Sequence, residues 1–191
     1  MPPKAKFSRE EIVKAALQVA RTQGIEAVTA RELGRVLGSS ARPIFTVFQN
    51  MDEVLEEVRK GAREIYLQYV QKGLAETLAF RGVGLAYIRF AIEEEKLFRL
   101  LFMSEQRPVD SIEQILMLIE ESYEAILRSV EDHYHLPRED AKWLYEHLWI
   151  YSHGIATLCA TGMYDFTPEE IEKQLTEVFV GLLKSKLESR S

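Results

Sequence analysis

One cysteine, Cys159, stands among 191 residues. No internal disulfide can form, which suits a reducing compartment and places the expected location in the cytoplasm. No run of about 18 apolar residues is present, so no segment is expected to cross a bilayer. Met1 to Lys4 has no apolar run behind it, so no secretory leader is expected. Sustained strand alternation is also absent, which leaves an all-α fold. The sequence has no glycine-rich phosphate loop, no nucleophile beside a base and no paired catalytic carboxylates, so an enzyme is not expected. Histidines are few. His133 and His135 end one helix, while His147 and His153 are six apart, about 240° around a helix. No cysteine or carboxylate cluster joins them at zinc spacing. No metal and no cofactor are expected, and the many glutamates read as solvent-facing.

What is present is unevenly distributed. The chain carries 24 basic and 30 acidic residues, a net charge of −6. Residues 1–48 hold eight Lys/Arg against four Glu, and the remainder holds 16 basic against 26 acidic residues. A basic head on an acidic body would turn the head toward phosphate.

The stretch from Val28 to Leu55 organises the rest. Thr29 and Glu32 have capping-box spacing. Leu33, Val36 and Leu37 then form an apolar stripe, and Gly38 stops the helix, since a left-handed residue there costs nothing without a Cβ. Ser39 and Ser40 carry the turn. A stub helix over about Ala41 to Val47 follows, pinned inward by Ile44 and Phe48. Ala41, Arg42, Pro43, Phe45 and Thr46 are left outward. Asn50 then caps a long helix, with Glu53 at its third position. This order reads as a helix-turn-helix, whose second helix enters the major groove.

Over about Ser8 to Val58 the chain resembles the tetracycline-repressor (TetR) family of bacterial transcription regulators. Ile12, Ala15, Ala16, Gly24, Val28-Thr29, Leu33, Leu37-Gly38, Ser40, Ile44-Phe45, Phe48 and Leu55 carry the resemblance. The family often has Tyr-x-His-Phe where this chain has Phe45-Thr46-Val47-Phe48, and Lys where it has Met51. Those polar residues typically hold phosphates.

Along the rest of the chain, Ser8 and Glu11 form another capping box and open a helix to about Gln23. Lys4 and Lys6 lie on a short arm that reads either as a frayed end or as a reach toward DNA. A long helix is expected from Asn50 to about Ala79, a bend at Arg81 to Gly84, and a helix from Leu85 to Glu95. Short helix is expected over Leu97 to Met103, then a break at Gln106-Arg107-Pro108. One helix is expected from Asp110 to about Tyr134, another over 138–161, and a last from Thr167-Pro168 to about Leu187. The total is about nine helices. Residues 1–49 form the expected DNA-binding domain and 50–191 the effector-binding and dimerisation domain.

The expected DNA contacts are Lys4, Lys6, Thr29, Arg31, Ser40, Ala41, Arg42, Pro43, Phe45 and Thr46, with Arg42 reading a guanine edge. The resemblance implies a ligand pocket among the central helices, where Tyr66, Tyr87, Phe90, Phe98, Phe102 and Met103 lie, followed by Met117, Tyr123, Trp143, His147 and Trp149. Each of these also reads as ordinary core. Trp149 and His153 share a face, as a stacked pair or a bonded core histidine. The resemblance further implies a dimer through the last two helices, at Ser152, Ile155, Ala156, Cys159, Leu175, Val178, Phe179 and Leu182. The same face could instead close a hairpin within one chain. The reading is a homodimeric, non-enzymatic repressor that leaves a palindromic double-stranded operator when a small, largely apolar effector binds. The alternative is an all-α ligand-binding or scaffold protein whose head has weakened DNA binding.

Overall fold

The computed structural model describes residues 6–104 and 108–188. Lys4, Gln106 and Arg107 lie outside the described residues. Among those described there are nine α-helices, two short 3₁₀ turns and no strand, so the fold is all-α. The chain divides into two compact units, Met1–Ile65 with Glu94–Ser104, and Tyr66–Glu93 with Glu105–Ser191.

In the first unit, α1 spans Arg9–Gln23. The Ser8 hydroxyl accepts from the Glu11 N–H and the Glu11 carboxylate accepts from the Ser8 N–H, so the full capping box forms. Ile12, Ala16, Val19 and Ala20 bury one face, and Gly24 ends the helix. Helix α2, Ala30–Val36, packs on α1. Thr29 caps it, accepting from the Glu32 N–H at 3.2 Å. The Glu32 carboxylate does not return to the cap. It holds Arg35 at 2.8 and 2.6 Å, so only half of that capping box exists. Helix α3, Met51–Leu74, begins here with Asn50 accepting from the Glu53 N–H at 3.0 Å. Helix α5, Glu95–Phe102, packs on α1 and buries Leu97 and Phe98 completely.

The second unit takes the last turns of α3 from Tyr66, then α4 (Ala79–Glu93), α6 (Ile112–Ile119), α7 (Tyr123–Tyr134), α8 (Arg138–Ala160) and α9 (Pro168–Glu188). Helix α4 is its centre. It packs on α7, α8 and α9, and eight of its residues are buried. Thr167 caps α9 through a reciprocal bond pair with Glu170, and Pro168 opens it.

Two expected boundaries move. Helix α3 ends at Leu74 and the break falls at residues 75–78, so Arg81 to Gly84 lie inside α4. Gly82 serves close packing there, not a bend: a Cβ on Gly73 would sit 2.6 Å from the Gly82 carbonyl oxygen. The helix expected to run from Asp110 to Tyr134 is two helices. Ser111, not Asp110, caps the first, and Glu120 ends it in extended backbone (φ −119, ψ 97). A kink at Glu120 costs one turn of helix but turns its side chain inward, so that it is only 4% exposed. Glu94 is equally buried, which corrects the reading of all the glutamates as solvent-facing.

Candidate nucleic-acid interface and cavity

The turn after α2 is tight because both sides permit it. Gly38 has φ +63, the left-handed value expected of the stop. Gly34 is buried, and a Cβ there would lie 2.9–3.0 Å from the backbone of Ser39 to Ala41, so the turn lies directly on α2. The stub helix is shorter than expected, a single 3₁₀ turn at Ile44–Thr46. Pro43 contributes no N–H, and the bonds run from Ile44 to Ala41, Thr46 to Pro43 and Val47 to Ile44. So short an element cannot hold itself by backbone bonds. Ile44 and Phe48, 0% and 2% exposed, anchor it. Burial of each contributes about 1.5–3 kcal/mol. The Arg9 guanidinium lies 4.3 Å from the Phe48 ring centre and donates to Glu57 at 3.2 Å, which ties the turn's anchor to α1 and α3.

Outward from those anchors stand Ser40, Arg42, Phe45 and Thr46, all exposed, with Ala41 and Pro43 half-buried. Thr29 and Arg31 are exposed at the start of α2. Among the described residues, neither Arg31 nor Arg42 makes an ion pair or hydrogen bond, so both guanidinium groups stand open to solvent. Arg35, by contrast, is occupied by Glu32. Thr46 donates its hydroxyl to the Pro43 carbonyl at 2.6 Å, and Lys6 donates to the Ser39 hydroxyl at 3.0 Å, close to the turn.

The second unit contains a partly open cavity of about 290 Å³ with a largely apolar wall. Tyr66, Tyr87 and Trp149 line it, as do Phe80, Tyr145 and Leu148, which sequence reasoning did not single out. Ser152, Leu175 and Phe179, expected at a dimer face, line it too. The other aromatic candidates lie elsewhere. Phe90 is fully buried behind the wall, 5.2 Å from Tyr66 and 5.3 Å from Tyr69 between ring centres. Tyr123 stacks on Tyr145 and donates to Glu113 at 3.1 Å. Trp143 packs against His147 and carries the Lys186 ammonium on its face at 4.4 Å. Met117 is 57% exposed. Phe98, Phe102 and Met103 belong to the first unit, because α5 packs against α1. Trp149 stacks on His153 at 5.1 Å, and the His153 Nδ1 meets the Tyr87 hydroxyl at 2.9 Å, so the pair is stacked and the histidine hydrogen-bonded, but half-buried and not in the core. Burial pushes the imidazole pKa down.

Of the residues expected to pair two chains, Ser152, Ile155, Ala156 and Leu175 are buried within this one, and Cys159, Val178, Phe179 and Leu182 are half-buried. Beside them Ile150, Gly154 and Gly181 are exposed.

A buried carboxylate interrupts the cavity wall. The Glu120 carboxylate accepts from the Tyr66 hydroxyl at 2.6 Å through Oε2 and from the Ser122 N–H at 3.0 Å through Oε1. Burial raises its pKa, against the lowering effect of those two bonds. Its folded pKa therefore lies above the unfolded one. The resulting stability is present below the ordinary glutamate range and is lost as pH rises through the folded value. Glu120→Gln removes this titration. In thermal melts its midpoint will rise relative to wild type as pH increases from about 4, the ordinary glutamate value. A constant difference across pH would show that Glu120 is not desolvated. The residue was legible in principle. It sits four after Leu116, three before Tyr123 and seven before Leu127, on an otherwise apolar stripe.

Among the described residues no group of three or more His, Cys, Asp or Glu could hold a metal, and no helix is long and apolar enough to cross a membrane. Comparison with curated proteins returned no match. Two family descriptions do match: "Bacterial regulatory proteins, tetR family" over residues 12–58, and "Tetracyclin repressor-like, C-terminal domain" over residues 80–182. The first contains the turn and its anchors, and the second contains most of the cavity wall. The chain belongs to the TetR family and is a DNA-binding, non-enzymatic transcriptional regulator.

Proposed function

We propose that this regulator is a homodimeric repressor, released from a palindromic operator when a small effector enters the cavity of the second unit. The cavity of about 290 Å³, walled largely by aromatic rings and containing the buried Glu120 carboxylate, supports this reading most. Concave apolar sites with a few placed polar groups are how proteins hold small ligands. Residues 1–49 contact DNA, and residues 50–191 take the effector and pair two chains. Pairing uses α8 and α9, where Ile150, Gly154 and Gly181 offer small and apolar surface beside Cys159, Val178 and Leu182. A two-fold dimer sets two turns on one DNA face and matches a palindrome. Helix α3 is unbroken from Met51 to Leu74 and has residues in both units, which suits it to carry the effector's influence to the head. A coupling of about 1–3 kcal/mol is sufficient for a 5–150-fold change in operator affinity.

On the operator, Arg42 reads a base and Arg31, Ser40, Thr29 and Thr46 hold phosphates. Ala41 and Pro43 allow close approach, and Phe45 packs without donating. Lys4 and Lys6 add charge from the arm. Arg42→Ala will cost about 1–3 kcal/mol and relax selectivity at one base pair. Equal loss on every sequence would make Arg42 a phosphate contact. The reading as a whole is tested by binding to genomic fragments, including the region upstream of the protein's own gene, at two salt concentrations. Selective binding that weakens steeply with salt, as counterion release requires, supports it. Weak binding, equal on every fragment, overturns it.

A further inference from the structure

Glu120 gives the cavity a chemical preference. Its side chain is almost wholly withdrawn from water, yet its two partners, the Tyr66 hydroxyl and the Ser122 N–H, are neutral. Among the described residues no cation lies within 4 Å of it. An ionised carboxylate accepts at about four sites, and a buried charge is costly unless it is paired. Glu120 lines the same cavity as Tyr66, Tyr87, Tyr145 and Trp149. Tyr66 and Tyr87 meet edge to face at 6.0 Å, and Tyr145 meets Phe80 in the same way at 5.8 Å. Aromatic faces attract cations, most strongly where water is excluded. The basic side chains at the cavity do not compete. Arg81 is held by Glu172 at 2.9 Å, and His133 is exposed.

We propose that Glu120 anchors a positively charged nitrogen of the effector, so that the ligand is an organic ammonium with an aromatic or branched apolar body. This rests on the reading of the cavity as the effector site. Among the described residues of the wall, no other group supplies a countercharge. With a neutral ligand the burial of Glu120 is relieved only by protonation, whereas a cationic nitrogen pairs the carboxylate in its charged form.

Benzyltrimethylammonium and neopentylbenzene have the same shape and differ in the charge. Phenylacetate offers the opposite charge on a similar body. Binding of the three to the full chain is measured by titration calorimetry, with wild type, Glu120→Gln and Gly84→Leu. Gly84 lines the cavity, and a Cβ there meets Leu175 and Ser152 at an ordinary 3.8 Å, so a leucine extends into the space. The ammonium will bind at least tenfold more tightly than either other compound. Glu120→Gln will weaken it at least tenfold and leave neopentylbenzene within about twofold. Because the hydrocarbon has the larger hydrophobic gain, a preference for the ammonium in wild type alone has to come from the carboxylate and the rings. Equal or tighter binding of neopentylbenzene or phenylacetate, abolished by Gly84→Leu, would overturn the role of Glu120 and leave the cavity as the effector site. Binding of none of the three, or binding indifferent to Gly84→Leu, would overturn both.

Discussion

Gly82→Ala will destabilise the second unit by about 3 kcal/mol or more, at the upper end of overpacking costs. Helices α3 and α4 cross at Gly73 and Gly82 with backbone against backbone. A Cβ on Gly73 would lie 2.6 Å from the Gly82 oxygen and 2.7 Å from the Val83 nitrogen, and a Cβ on Gly82 would come closer still to the Gly73 carbonyl. No flexible side chain can yield, so the helices must separate. That opens the packing around Val70, Phe80 and Val83, all buried. Alanine's better helix propensity returns only about 1 kcal/mol. Gly84→Ala, two residues along the same helix, is the control. Its Cβ meets only ordinary contacts, so it gains the propensity and loses nothing. In thermal melts Gly82→Ala will fall by roughly 6–12 °C, using the scaling for a chain of this size, while Gly84→Ala will stay level or rise. If both behave alike, the close crossing is wrong.

That pair of glycines also shows where the sequence is ambiguous. Arg81-Gly82-Val83-Gly84 reads as a bend because glycine weakens a helix locally. The compensation comes from Gly73, nine residues away, and only the fold brings the two together. Caps carry their information locally, and Ser8, Thr29, Asn50 and Thr167 all cap the helices that their spacing implies. The turn after α2 was legible for the same reason, through Gly38 and the inward pair Ile44 and Phe48. Its 3₁₀ geometry was not, since i+3 and i+4 bonding differ little in the pattern they leave.

The cavity was legible as a surplus of aromatics and not as a list of positions. Tyr66, Tyr87 and Trp149 line it, but Phe98 fills the first unit's core. Nothing in its own segment says that α5 packs on α1. Glu120 was hidden by the assumption of one helix from Asp110 to Tyr134. With that helix broken at Glu120, a carboxylate on an apolar stripe becomes a wall residue. The same spacing argument applies to Glu94, three after Ala91 and four before Phe98.

Removing Arg21 will be the second large loss, about 2–4 kcal/mol at neutral pH. The Arg21 guanidinium grips Glu94 with two parallel bonds, one of them from Nε to Oε2 at 2.6 Å. The carboxylate end is 3% exposed and the guanidinium end 48%, so the pair is buried on one side only. Breaking a wholly buried pair costs about 3–5 kcal/mol, and exposure of Arg21 reduces that through solvent screening. The loss in Arg21→Ala comes mostly from the Glu94 charge left buried and unpaired at the start of α5, not from the attraction itself. Glu94→Gln should therefore rescue it. The double variant will be more stable than Arg21→Ala, with a coupling of about 1–3 kcal/mol in a urea-unfolding cycle. If the two losses simply add, the pair carries no coupling and α1 is held to α5 by apolar packing, to which Leu97 and Phe98 contribute. With coupling, the pair fixes where α5 begins. Glu94 is the cap residue of α5 and makes no side-chain cap bond, because Arg21 has taken its carboxylate.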